Sequence, residues 1–392
     1  MKLIDRSLYT EQLLQSMNKN EVKILTGVRG VGKTSILNLF HQKLLENGVN
    51  SENIIRIDLE SIEYNFTENG SILYDFINQK IKKDEKNFLL IDEIQRVQDW
   101  QSVIGTLKSE SDIDIYISNS GKSIIDNNLI KTINHKPIEI HVFPLSFREY
   151  CKFHNFDESV DKEKLFNDYL KFGSMPVDFE HLRNLFFSTM AQDVFTTNKI
   201  ADNSIMLLLT KILFTEIGKI HSFNSISNIL SEIIPKPPAV RTIENYVNML
   251  VDAKLLYSVP VFDIRSNSTL TRYAKYYPVD FGFYSLIMGE HNLYDVHILE
   301  TVIYFELIRL GVEVSTCKIG NKKVTFLAES DDNKIYIHVT NNIVMKDVKR
   351  MFSPLRSIND HYSKWILSLD ENYYHSDDGI RVSNIIKFLL EE

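Results

Sequence analysis

Between Gly27 and Thr34 the chain reads Gly-Val-Arg-Gly-Val-Gly-Lys-Thr, a match to G-x-x-x-x-G-K-[ST] set between an apolar run and a helical pattern. Few sequence features constrain a fold as tightly. The glycines let the backbone turn sharply enough to aim successive N–H groups at phosphate oxygens. The helix that opens beyond them adds its partial positive charge. Residues Gly27, Val28, Arg29, Gly30, Val31, Gly32, Lys33, Thr34 and Ser35 are therefore the expected phosphate cradle. In it Lys33 would neutralise the β and γ phosphates of a nucleotide, and the Thr34 hydroxyl would bind Mg2+.

Such a loop needs a sheet behind it, and the first 150 residues supply the pattern. Val22–Thr26, Ile54–Leu59, Phe88–Ile91, Ile113–Ser118 and Ile138–Phe143 are short, apolar and β-rich, and helix-like stretches separate most of them. This alternation predicts an α/β unit with a largely parallel sheet covered on both faces. The run Phe88–Ile91 ends in Asp92-Glu93. A strand of this kind is expected beside Val22–Thr26, so that its end faces the phosphates. Asp92 would then hold Mg2+, mostly through water, and Glu93 would orient the attacking water, which favours hydrolysis over binding alone. The run from Ile113 ends in Ser118-Asn119-Ser120. A polar side chain at Ser118 or Asn119 could touch the γ-phosphate or the water. Spacing does not choose between them, and a capped turn is the competing reading.

After Pro144 the pattern changes to helices at Phe147–Phe153 and Lys164–Phe172, with a break at Gly173-Ser174-Met175-Pro176. Ile205–Ile217, Ser225–Ile233 and Val240–Ala253 read as three more helices. Pro235-Lys236-Pro237-Pro238 is a firm stop between the last two, because prolines lack the donors that a helix needs. Leu255–Phe262 and Lys275–Pro278 follow as a β-hairpin, which completes the outline of a winged helix. The last hundred residues begin with a helix at His297–Leu310, pass through strands near 312–318, 322–328 and 334–340, and end in α/β alternation. The expected division is a core at 1–150, a helical connector at 151–200, a winged helix at 201–290 and an α/β module at 291–392.

A formal net charge of −8 argues against coating nucleic acid through bulk electrostatics, although a sum is not a map and a local basic patch stays open. Cys151 and Cys317, the two cysteines, have no ligand-like spacing and read as reduced thiols. No apolar run has the length of a membrane span, and Met1-Lys2-Leu3-Ile4-Asp5-Arg6 is no signal peptide, so a cytoplasmic location is expected. Asp280-Phe281-Gly282 resembles a kinase magnesium motif without the loops that should precede it. His135, His141, His154 and His338 show no metal-ligand spacing. Tyr273, Tyr276 and Tyr277 alternate with Arg272 and Lys275, which suits either nucleic-acid stacking or a packed wing. In the third helix Arg241 is offset by Glu244 and Asp252, too little positive charge for a major-groove reader.

Taken together, these motifs resemble the bacterial and archaeal ATP-binding proteins that pair an AAA-type P-loop domain (AAA_14) with a C-terminal DUF4143 domain. The matching stretches are Gly27–Thr34, Leu90-Ile91-Asp92-Glu93-Ile94-Gln95, Asp114–Ile117, Pro144-Leu145-Ser146-Phe147-Arg148-Glu149-Tyr150, Tyr169-Leu170 with Gly173 to Pro176, and Lys275-Tyr276-Tyr277 with Asp280 and Gly282. The resemblance implies ATP and Mg2+ as ligands and an AAA-like core, followed by a winged helix and a restriction-endonuclease-like α/β module. AAA-type sites often borrow a positive residue from a neighbouring subunit, so it also allows a homo-oligomer.

Three departures matter. Ser118-Asn119-Ser120 replaces the family's usual Thr-Gly-Ser, and His135-Lys136 replaces Gly-Arg, keeping a charge but losing the planar fork. In the last module Leu299-Glu300 is followed by Thr301, Lys323-Val324-Thr325-Phe326 stands where an acidic pair is usual, and Ile337-His338-Val339 replaces a Gln-Val strand. A metal-dependent nuclease needs clustered carboxylates, so this module is expected to be inactive and Glu300 a relic or a helix-surface acid. The leading expectation is an ATPase whose nucleotide state controls a protein partner. The rivals are a slow nucleotide-gated switch and an ATP-dependent DNA-binding protein acting through the winged helix.

Overall fold

Five strands in the first 144 residues are short enough, and apolar enough on both sides, to demand helices on each face. The computed structural model describes residues 4–64, 69–121, 125, 127–154, 161–175, 177–196, 200, 202–331, 333–343, 348–370 and 379–391. Met1–Leu3 and Pro176 of the sequence motifs lie outside them. The chain forms two compact units, Met1–Pro144 and Leu145–Glu392.

The first unit runs α1 (Ser7–Gln15), β1 (Lys23–Gly27), α2 (Lys33–Glu46), β2 (Ile54–Asp58), α3 (Gly70–Asn78), β3 (Asn87–Asp92), α4 (Trp100–Glu110), β4 (Ile113–Ser120), α5 (Asn127–Ile133) and β5 (Ile138–His141). The sheet has the order β2-β3-β4-β1-β5, and every pairing in it is parallel. Alternate residues serve opposite faces. Ile24, Leu89, Ile91, Ile115 and Ile117 pack with Leu73, Ile104, Leu107 and Leu129 of α3, α4 and α5. On the other face the Tyr116 ring lies 4.5 Å from that of Phe40 on α2. One expectation is corrected here. The strand ending in Asp92 does not lie beside β1; β4 is inserted between them, pairing with β1 on one edge and β3 on the other. The polar end of β4 thus falls between the phosphate loop and the acidic pair.

At the opposite end of the strands, the Lys23 ammonium is fully buried and lies 2.5 Å from Asp114. Asp114 also accepts from Tyr116 Oη (2.9 Å) and the Asn18 N–H (2.8 Å), so the buried charges are closed by hydrogen bonds.

The second unit opens with helices α6 (Phe147–Phe153), α7 (Lys162–Phe172) and α8 (Phe179–Thr189), the last running into a π-helical turn at Met190–Thr196. Ser146 and Glu149 form a reciprocal capping box on α6, which gives the Pro144–Tyr150 motif a local structural job. Helices α9 (Asn203–Thr215), α10 (Phe223–Ile233) and α11 (Val240–Asp252) precede the hairpin β6 (Leu256–Asp263) and β7 (Ser268–Pro278). Then come α12 (Phe281–Met288), α13 (Val296–Arg309), β8 (Glu313–Ile319), β9 (Lys322–Ser330), β10 (Asn333–Val339), α14 (Val348–Arg356), β11 (Ser363–Ser368), β12 (Ile380–Asn384) and α15 (Ile385–Leu390). The hairpin and the later strands share one seven-stranded sheet, ordered β12-β11-β10-β9-β8-β6-β7. Among the described residues no helix is long and apolar enough to cross a membrane. Both cysteines are buried, which pushes Cys151 up to about 11 and Cys317 up to about 12.

Candidate active site

The loop leaves β1 through Gly27, whose φ of 151° brings the backbone against the Val142 carbonyl so closely that a Cβ would collide with it. Gly30 and Gly32 take φ of 80° and 99°, values that suit glycine, and Gly32 is the residue from which α2 starts. The N–H groups of the first turn of α2 therefore open toward the loop. Lys33 lies back across it, donating to the Gly27 and Val28 carbonyls at 3.1 Å each.

Three strand ends converge on this loop. Asp92 closes β3, and its carboxylate accepts from the Ser118 and Thr34 hydroxyls. Glu93 follows in left-handed backbone (φ 55°, ψ 50°), an unusual conformation for a glutamate. Its N–H is held by Ser118 Oγ at 3.0 Å and its carboxylate by Ser120 Oγ at 2.6 Å and Gln95 Nε2 at 2.5 Å. Lys33 Nζ lies 3.8 Å from Glu93 and Arg29 Nη1 lies 3.9 Å from it. Lys33, Asp92 and Glu93 are 4, 4 and 6% exposed. Burial pushes the Asp92 carboxyl above its ordinary value, and the two hydroxyls only partly offset that. Burial pulls Glu93 the same way, but Lys33, Ser120, Arg29 and Gln95 outweigh it, so Glu93 is held below the usual range.

Of the pair that spacing could not separate, Ser118 touches both acids. Asn119 is buried in register with Thr26 and alternates to the other face of the sheet. Ser120 joins the site unforeseen, although its i+2 spacing from Ser118 was legible. Arg6 is a second omission. Its guanidinium, 3% exposed, donates to the Val31 carbonyl at 3.1 Å and the Phe143 carbonyl at 2.8 Å. It thereby ties the phosphate loop to the end of β5, and no motif announces it.

The donors present suit a hard cation. The Thr34 hydroxyl and the Asp92 carboxylate already meet, which puts two oxygen ligands on one spot beside the cradle. Among the described residues no set of three or more His, Cys, Asp and Glu converges. Thr34 and Asp92 are the residues that would hold Mg2+, were it bound together with a nucleotide.

Of the remaining motif residues, Lys136 and Glu300, only the expectation for Glu300 is corrected. Lys136 is exposed, just before β5, at the end of the sheet where β1 begins rather than at the loop. It does not reach the phosphate cradle of its own chain. Glu300 is not a helix-surface acid: it is 5% exposed and accepts from Lys275 Nζ at 2.8 Å and Tyr277 Oη at 2.9 Å, with His297 Nδ1 at 3.2 Å. Thr325 on β9 accepts from the Val339 N–H, and among the described residues no metal-holding group of three or more His, Cys, Asp or Glu forms. Lys275 and Tyr277 are thus consumed in the interior, and of the three tyrosines only Tyr273 is exposed. Asp280 is likewise internal, accepting from the Ser174 N–H and hydroxyl and capping α12 through the Gly282 N–H.

An all-parallel sheet with a glycine-rich loop, an acidic strand end and a polar strand between them defines an AAA-type P-loop domain. Residues 19–151 match the AAA domain family (AAA_14). Residues 163–293 match a domain of unknown function, DUF8612, where the motifs had suggested DUF4143. Over its length the chain is 30% identical to an uncharacterised protein of Haemophilus influenzae, with 99% of each chain covered, and it belongs to that protein's family of AAA-type P-loop proteins. It is also 26% identical to the uncharacterised protein MJ1544 of Methanocaldococcus jannaschii, over 81% of this chain and 74% of that one. Among solved structures a Walker-type ATPase of Pyrococcus abyssi aligns with a TM-score of 0.47 and 14% identity, over 72% of this chain and 95% of that one.

Proposed function

We propose that the chain is an Mg2+-dependent ATPase whose nucleotide state controls how its second unit engages a protein partner. The observation that carries the hydrolytic half is Glu93, a buried carboxylate kept ionised and aimed beside the phosphate loop by Ser118, Ser120 and Gln95. Lys33 and the N–H groups of Gly27–Ser35 bind the triphosphate, and Thr34 and Asp92 hold Mg2+. When bound, the metal spreads the negative charge of the phosphates. The oxygen of a water attacks the γ-phosphorus in line, its proton passes to Glu93, and the bond to the β-phosphate oxygen breaks with its electron pair leaving on ADP. A phosphate that draws Lys33 away from Glu93 also removes the nearest positive charge from that carboxylate, which makes it the better proton acceptor. Binding and activation of the base are thereby coupled.

In Glu93→Gln, phosphate release should fall by at least about 100-fold, the usual scale of a lost general base, while ATP still binds. Steady-state release unchanged in that variant would remove the hydrolytic reading. A slow nucleotide-gated switch is the second reading, favoured by the position of Lys136 away from its own cradle. Its signature is tight ATP binding with near-zero turnover that no increase in protein concentration accelerates. An oligomer that supplies its missing cation in trans would instead turn over faster as concentration rises.

A further inference from the structure

In a chain of net charge −8, one cavity of about 650 Å³ in the second unit is lined by cations and by no carboxylate among the described residues. Its walls carry Lys322 from the start of β9, Lys349 and Arg350 from the first turn of α14, and Ser353 and Pro354 one turn on, with His338 of β10 also on the lining. The Lys322 ammonium is pinned by neutral groups, the Ser353 carbonyl at 3.3 Å and the Ser357 hydroxyl at 2.5 Å, so its charge is not cancelled. Three half-buried lysines of this unit meet acids: Lys318 with Asp263, Lys334 with Glu329 and Lys364 with Asp360. Lys349 and Arg350 meet no carboxylate among the described residues, and both are exposed. Cations in the first turn of a helix also face its positive end, an arrangement that an anion in front of them relieves.

We propose that this pocket is a phosphate site that takes the backbone of a nucleic-acid strand. Three long, exposed cations on two separate elements suit the repeated charges of a phosphate backbone better than a single carboxylate, which one cation would satisfy. The pocket is formed by β9, β10 and α14, and it involves neither α11 nor the phosphate loop. It therefore stands or falls apart from the ATPase reading and from DNA binding by the three-helix region.

The test is fluorescence anisotropy of a labelled 20-nucleotide oligothymidylate with the full chain, without ATP, from 50 to 200 mM KCl. Three phosphate contacts on a single strand predict a slope of log affinity against log salt near about −2. Lys349→Glu/Arg350→Glu should weaken binding at least about tenfold; glutamates suit the start of a helix, so the fold should hold. Lys322→Ala gives a milder second variant, expected to weaken binding about threefold. Arg241→Ala should bind as the parent does. Pyrophosphate added at matched ionic strength separates the sources: displacement that needs Lys349 and Arg350 assigns the same site to small phosphates, and failure to displace assigns it to a strand. The proposal is overturned by salt-insensitive or undetectable binding at 50 mM KCl, by parental affinity in the double variant, or by loss of binding in Arg241→Ala alone.

Discussion

A guanidinium buried as deeply as Arg6 destabilises a fold unless its donors are met and its charge is useful. Arg6 satisfies two backbone carbonyls, one in the phosphate loop and one past β5, and its guanidinium carbon also lies 4.6 Å from the centroid of the Tyr9 ring. Its reach from before α1 to the Val31 carbonyl fixes the loop from outside the motif. Arg6→Ala is expected to lower the melting temperature and to weaken ATP binding about tenfold, since each charge-assisted bond lost is worth about 1.5–3 kcal/mol. Arg6→Lys keeps the charge with one donor site and should recover part of both. A binding isotherm for a fluorescent ATP analogue, read with thermal melts of the same variants, separates loop positioning from general stability. If Arg6→Ala melts early yet binds nucleotide like the parent, Arg6 is structural and nothing more. Residues of this sort escape sequence reading because a lone arginine before a helix has no spacing rule. Ser118, by contrast, was narrowed to one of two positions, and only the alternation of β4 separated it from Asn119.

Asp280 shows how a motif can be structural at the scale of elements. It ties the turn after α7 to the start of α12: the Ser174 N–H at 2.7 Å, the Ser174 hydroxyl at 2.6 Å and the Gly282 N–H at 2.7 Å all point at one carboxylate. Gly173, at φ 87°, lies so close beneath it that a Cβ would strike both Asp280 and the Gly282 backbone. Asp280→Ala leaves those donors buried and unmet, so a loss of about 3 kcal/mol or more is expected in denaturant unfolding, with Gly173→Ala comparable. ATP binding by the first unit should stay within twofold; a selective loss of binding with unchanged stability would mean that Asp280 serves chemistry after all. The same region marks the limits of legibility. Strands and helices with strong periodicity, from Val22–Thr26 to Val240–Ala253, were readable because burial imposes their pattern. The insertion of β4 between β1 and β3 was not, because strand order depends on contacts far apart in the chain. Nor was the parallel pairing of β6 with β8, which joins the hairpin to the later strands through only Val261, Phe262 and Asp263.

The two tryptophans of the whole molecule happen to divide between its units: Trp100 lies in the core of the first, and Trp365 packs against Phe388 and Arg381 in the second. A Trp100→Phe variant therefore leaves one fluorophore that reports the second unit alone. Among its described residues that unit holds two histidines kept below their ordinary value mainly by burial, His338 on β10 and His221 before α10. A depressed histidine favours the neutral ring in the fold. Above roughly pH 6.5 neither state is protonated and the full stability is present; as pH falls below that value the unfolded chain binds protons that the fold refuses, and stability drains away. Glu300 acts in the same direction at lower pH. Burial raises it, but Lys275 and His297 outweigh burial and hold it below the usual range, so its share is lost only as pH falls through the carboxylate region. Melts followed by Trp365 should hence be level from pH 8 to 7 and then decline between pH 6.5 and 5, by up to about 1.4 kcal/mol per pH unit for each histidine that stays neutral. For a unit of roughly 250 residues this is a few degrees per pH unit. His338→Gln removes one of the two titrating rings and should make the decline distinctly shallower, with the level region between pH 7 and 8 preserved. A decline of equal steepness in His338→Gln would show that the buried ring does not couple folding to pH, whereas a melt that rises on acidification would reverse the sign of the linkage itself.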